Sequence, residues 1–134
     1  MRCFWLIHAT SGQMVTLEVA SLDVSPGADS DCSDDGVGVY GGSTTSATLV
    51  NRLCGDHCST CPLVVSPTDD SGVLVEFVSG VDAAAAPYTG FSLRYTIAES
   101  GACGAVGCAC VHVRVVWRVC CGVLHKPCGS SRMW

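Results

Sequence analysis

The stretch DCSDDGVGVYGG, residues 31–42, decides how this chain is read. It holds three aspartates, Asp31, Asp34 and Asp35, together with Cys32 and four glycines. Three readings compete: a metal-binding loop, a strand with an acidic entrance, and a solvated turn. Val37 and Val39 alternate with glycines, which predicts a short strand ended by Gly41-Gly42. The acidic half before it stays open until the rest of the chain is considered.

The same alternation recurs on both sides. In residues 1–24, Cys3, Trp5 and Ile7 share one face, and after a turn at Ser11-Gly12 so do Val15, Leu17 and Val19. Both segments read as half-buried strands. Pro26-Gly27 opens an acidic loop that runs to Asp35. Residues 46–55, SATLVNRLCG, suit a strand or a brief helical turn. A cysteine loop, 54–62, and LVVSP follow. The turn signal TDDSG then precedes VLVEFVSG, the clearest strand, with Val73, Val75 and Phe77 inward. FSLRYTI, 91–97, alternates Phe91, Leu93 and Tyr95. The alanine run 83–86 is helical by propensity, but Pro87 ends it, so a loop is expected. Short strands and turn signals at this spacing predict an all-β fold, an antiparallel β-sandwich. There is no fixed-period repeat and no βαβ pattern.

Composition agrees. Of 134 residues, 49% are hydrophobic and 14% charged, a globular balance. The net charge of −5 is uneven. Residues 1–99 carry all 12 acids against Arg2, Arg52 and Arg94, hence −9; residues 100–134 carry Arg114, Arg118, Lys126 and Arg132 and no acid, hence +4. A nucleic-acid partner is not expected of so acidic a body, because phosphate neutralisation needs clustered Lys and Arg. The character changes near residue 100, where six cysteines crowd a tail with one strand-like run, 111–119. The expected division is a sandwich domain over 1–98 and a Cys-rich, weakly basic tail over 99–134.

Eleven cysteines point to an oxidising compartment or to metal binding. The apolar run 3–7 is too short for the core of a signal peptide. Asn51 lies in no glycosylation sequon. The uncharged run 100–113 falls short of the ~20 residues of a membrane span. Secretion-type composition without a secretion signal predicts a chain that lacks its beginning.

In order along the chain, the motifs resemble those of the CUB domain, an extracellular β-sandwich of jelly-roll type. They are Cys3-Phe4-Trp5-Leu6-Ile7; Val15-Thr16-Leu17-Glu18-Val19 with Leu22-Asp23; Cys32 to Gly42; Leu53-Cys54-Gly55; Val75-Glu76-Phe77-Val78-Ser79-Gly80; and Gly90-Phe91-Ser92-Leu93-Arg94-Tyr95. The resemblance implies a CUB-like sandwich lacking its first strands, so that Cys3 has lost its family partner and is a candidate for an intermolecular disulfide. It also implies a Cys32–Cys54 bond. That bond would close a loop of about 22 residues and contribute roughly 3 kcal/mol.

Many members of the family bind Ca²⁺ beside this loop. Residue by residue, Asp35 matches the central ligand, Ser25 replaces a glutamate, Gly80 replaces an aspartate, and Asp82 stands where a small polar residue would be. The resemblance thus makes Asp35 and Asp82 the remainder of a Ca²⁺ site. The favoured reading is nevertheless the bland one, an acidic loop that is solvated or caps a turn, with Asp35 accepting local backbone N–H groups. The partner-contacting candidates are Asp35, Gly36, Tyr40, Gly80 and Asp82.

Other chemistry is thinner. Cys54, His57, Cys58 and Cys61 could supply zinc ligands. Cys58 and Cys61 are extra to the family pattern and are expected to pair with each other or with the tail. A thioredoxin-type site wants Cys-x-x-Cys at a helix N-terminus, and Pro62 followed by a strand argues against it. In the tail, Cys103, Cys108, Cys110, His112, Cys120, Cys121, His125 and Cys128 match no standard finger spacing. Catalytic motifs are absent, so no enzyme is expected. The expected function is a non-catalytic extracellular module that binds protein or glycan through end loops; no cofactor is required by this reading, and Ca²⁺ assistance is an option that the resemblance leaves open. The alternatives are a zinc-binding cysteine protein and a fragment of a larger secreted protease or receptor.

Overall fold

The computed structural model describes residues 2–26, 31–80 and 88–99. They form seven strands: β1 (Arg2–Ile7), β2 (Gln13–Asp23), β3 (Gly36–Tyr40), β4 (Leu49–Leu53), β5 (Leu63–Val65), β6 (Val73–Val78) and β7 (Gly90–Glu99). Residues 46–55, open between strand and helix in the sequence, thus supply β4. The strands make two antiparallel sheets, one ordered β1-β6-β3-β4 and the other β5-β2-β7. No helix among the described residues is long and apolar enough to cross a membrane. The proposed tail, 99–134, lies outside the described residues except for Glu99.

Alternation places the core as expected. In the first sheet Trp5, Val75 and Val39 lie in one cross-strand row, and Cys3, Phe77 and Val37 in the next. Val37, Val39, Val73 and Val75 have no solvent exposure. From the second sheet Val15, Leu17 and Leu93 close over them. Three rings join the layers: Phe91 of β7 meets Trp5 edge-on at 5.8 Å and Phe77 at 5.3 Å between centroids. Cys3 is half-buried and packs against this core.

Two features depart from simple period-two expectation. β2 is eleven residues long because a bulge between Val19 and Ser21 interrupts its pairing with β7. The extra residue restores inward direction to Leu22 and Val24, which would otherwise face water. The second feature is β3, buried over all five residues. Its inner face carries Val37 and Val39. On the outer face the Tyr40 ring folds back over Gly38, where an added Cβ would lie 3.1 Å from the ring. A glycine is also required at Gly72, which has φ of +123° and whose added Cβ would collide with the carbonyl oxygen of Ile7. That close approach lets the TDDSG turn enter β6 directly beside β1.

Candidate functional site

One end of the sandwich gathers polar residues from four places. β2 ends at Asp23, and Val24 and Ser25 follow it. Asp35 immediately precedes β3. Ser79 and Gly80 leave β6, and Tyr88 leads into β7. The pairings Asp23↔Gly90 and Gly36↔Val78, one in each sheet, bring these ends together. Asp23, Ser25, Asp35, Ser79 and Tyr88 line a shallow pocket over a floor that includes Val24 and Phe77.

Asp35 is buried, and its Oδ1 accepts the Gly80 N–H at 2.7 Å. The local capping expected of Asp35 is therefore corrected: its partner lies 45 residues away, across the β3–β6 pair. Asp31 makes the local turn instead, with Oδ1 accepting the Ser33 N–H at 2.9 Å. The Ser33 side chain first, and then its N–H, hold the Asp31 carboxyl below its ordinary range. Asp23, which is not among the ligand positions the resemblance implies, shares the pocket with Asp35. Its Oδ2 accepts both the Thr89 N–H at 2.8 Å and the Thr89 hydroxyl at 2.7 Å.

The site is braced from below. Cys32 and Cys54 form a disulfide with Cα atoms 5.5 Å apart, as the resemblance implied. Next to it Val24 and Gly55 exchange backbone hydrogen bonds at 3.0 and 2.7 Å. Together they tie the acidic loop to β4 and to the end of β2. Gly36 is buried against this brace, since an added Cβ would stand 2.7 Å from the Cys32 carbonyl oxygen. It is a packing position rather than an exposed contact. Gly80 is exposed, with room for a side chain.

Tyr40 requires a second correction. It was expected near the partner-contacting loops, but extended chain places it about 13 Å from Gly36, at the far end of β3. There it is 6% exposed, and its hydroxyl donates to Glu76 Oε2 at 2.7 Å. Burial, then the Glu76 contact, pushes the phenol above its ordinary pKa. Arg2 Nε reaches the other Glu76 oxygen at 3.0 Å. Sequence reasoning missed Glu76, which is 3% exposed on the outer face of β6. A single acid inside VLVEFV was the available signal, because a buried carboxylate needs partners.

The zinc reading of the 54–61 loop is also corrected. Cys54 is spent on Cys32, and Cys58 bonds Cys61, so no thiolate is left in the loop to take a metal. Among the described residues no three His, Cys, Asp or Glu side chains converge on a metal-sized site. Asp82 and the tail candidates lie outside the described residues.

Two antiparallel sheets packed face to face, with a disulfide brace at one end, define a β-sandwich class of domain. The family model for the CUB domain matches residues 1–95, and the chain belongs to that family. CUB domains occur in extracellular or secreted proteins and are generally non-catalytic modules of protein interaction. Among solved structures the chain is similar to the CUB1-EGF-CUB2 domain of human MASP-1/3, with a TM-score of 0.57 and 22% identity. The match covers 74% of this chain and 36% of that one, a likeness of fold. No curated protein matches the chain.

Proposed function

We propose that the chain is a non-catalytic extracellular binding module that takes a protein or glycan partner at the Asp35 end of the sandwich. The observation that carries this reading is the pocket where Asp23, Asp35, Ser79 and Tyr88 meet, on loops positioned by both sheets. Rigid sandwiches present recognition on such loops. Gly80, whose N–H binds Asp35, borders the same pocket, and Asp82 follows it by two residues in sequence; Tyr40 does not belong to the site.

Arrays of extracellular domains and of glycans test the reading. A partner bound by the unmodified protein should bind at least about tenfold more weakly to Tyr88→Ala, the loss typical of a contact at the centre of an interface. Val64→Ser, at the exposed position of β5, should bind normally. The reverse pattern, or binding insensitive to both, overturns the placement of the site. Melting temperatures of both variants confirm that they fold.

Ca²⁺ belongs to this proposal. Two carboxylates and two serines line the pocket, fewer charged oxygens than a tight site uses, so they fit a weakly held ion whose shell water completes. Asp23 and Asp35 would hold it, with Asp82 from the adjoining segment, and the ion would order the rim. Millimolar Ca²⁺ should therefore raise the melting temperature. Gly80→Asp adds a carboxylate where the Cβ would stand 3.8 Å from Asp35 Oδ1. It should melt lower without Ca²⁺ and show the larger calcium shift. No shift in either protein ends the calcium part and leaves the partner reading standing.

The matched structure is nearly three times as long as the aligned part, given its 36% coverage. On that observation we propose that the module serves within a larger secreted or surface protein. Sequencing full-length transcripts across the locus tests this: flanking codons for further extracellular domains are expected, and in-frame stops on both sides would refute it.

A further inference from the structure

The two disulfides differ in situation. Cys32 is buried and sits between the acidic loop and β4. Cys58 and Cys61 are three residues apart in a surface loop. Both are half-buried, but Asp56, His57, Ser59, Thr60 and Pro62 around them are all exposed. An attacking thiolate must approach a sulfur in line with the bond it breaks, so exposure decides which disulfide reacts.

The loop is also fastened independently of its disulfide. Asn51 Nδ2 of β4 donates to Thr60 Oγ1 at 2.7 Å. Directly after the loop, Leu63 and Val65 of β5 are buried in the core, and β5 pairs with β2. Breaking the Cys58–Cys61 bond would leave these anchors in place. Thr60 has a further role. Its Oγ1 lies 3.7 Å from Cys58 Sγ. With Asn51 donating to that oxygen, the Thr60 hydroxyl is left free to turn its own proton to the sulfur.

We propose that Cys58–Cys61 is a thiol–disulfide exchange site, an acceptor for low-molecular-weight thiols, while Cys32–Cys54 is the inert structural bond. An external thiolate forms a bond to Cys61 Sγ, and the Cys58–Cys61 bond breaks. Its electron pair passes to Cys58 Sγ, which leaves as a thiolate stabilised by the Thr60 hydroxyl and then takes a proton from water. A second thiolate attacks the external sulfur of the mixed disulfide. This releases the oxidised thiol and leaves Cys61 as a thiolate, which is also protonated by water. Two thiols are oxidised and one protein disulfide is reduced. The chemistry differs from thioredoxin-type catalysis, which needs a helix N-terminus that this loop lacks.

Incubation of the folded protein with graded mixtures of reduced and oxidised glutathione tests this, read by differential alkylation and peptide mass spectrometry. Cys58 and Cys61 should open at least about tenfold faster than Cys32 and Cys54, the accessible bond being the labile one. Thr60→Val should slow that opening several-fold without changing the Cys32–Cys54 rate, and Thr60→Ser should restore it. The double variant Cys58→Ser/Cys61→Ser should fold, retain the Cys32–Cys54 bond and melt close to the unmodified protein. Opening of both bonds at one rate, or of Cys32–Cys54 first, overturns the proposal. So does a double variant that fails to fold. A Thr60→Val protein with unaltered exchange overturns the directing role of the hydroxyl.

Discussion

Glu76 shows how one side chain can organise a sheet face. It is nearly inaccessible to water, and a carboxylate there is tolerable only because Arg2 supplies charge and Tyr40 supplies a proton donor. Tyr40→Phe removes that donor and leaves a buried acceptor short of one partner. It should cost about 1.5–3 kcal/mol, the range for a hydrogen bond to a charged group, measured as a lower urea midpoint. The same contact predicts a pH signature. Burial and Glu76 raise the folded pKa of Tyr40 above its unfolded value. The associated stability is therefore fully present below about pH 10 and is lost as pH rises from there through the folded value. Urea midpoints between pH 8 and 11 should fall more steeply for the unmodified protein than for Tyr40→Phe. Parallel curves would show that Tyr40 contributes nothing to alkaline unfolding.

At the scale of the element, β6 depends on how it is entered. Gly72 combines a positive φ with backbone contact against Ile7, so any side chain must push β1 and β6 apart at the end of their pairing. Gly72→Ala should destabilise by more than about 1 kcal/mol, because φ strain alone costs that much and the clash adds to it. Hydrogen exchange should show the loss of protection first at Ile7 and Val73, the last pair in the register. Uniform loss across both sheets would place the effect elsewhere. β2 teaches a complementary point. Its first half was legible from Val15, Leu17 and Val19, but the bulge was not. Nothing in QMVTLEVASLD marks the extra residue, since the bulge satisfies the partner strand β7 and the inward need of Leu22 rather than any local preference.

For the molecule as a whole, cohesion comes from the contact between the sheets. Phe91 from the second sheet is placed against both Trp5 and Phe77 of the first. Phe91→Ala should cost about 3–5 kcal/mol, the range for deleting a buried aromatic ring. Chemical denaturation should show it as a large fall in midpoint with the cooperative transition kept. A loss below about 1 kcal/mol would mean that the sheets close over the gap.

What the sequence by itself determined is the face each strand turns inward. Period-two alternation reports burial directly, because successive side chains in extended chain point to opposite sides. Val37, Val39, Val73, Val75, Phe77 and Leu93 were all placed on that ground. The ordered motifs added the family and the Cys32–Cys54 pair. Alternation says nothing about which strand lies beside which, since a strand's hydrogen bonds go to residues of any sequence separation. Only the tertiary structure therefore decided the orders β1-β6-β3-β4 and β5-β2-β7, the turn of Asp35 to Gly80, and the entry of Asp23 into the same pocket. It also sent Tyr40 inward to Glu76, because a polar group in a covered sheet face must find its partner within the protein.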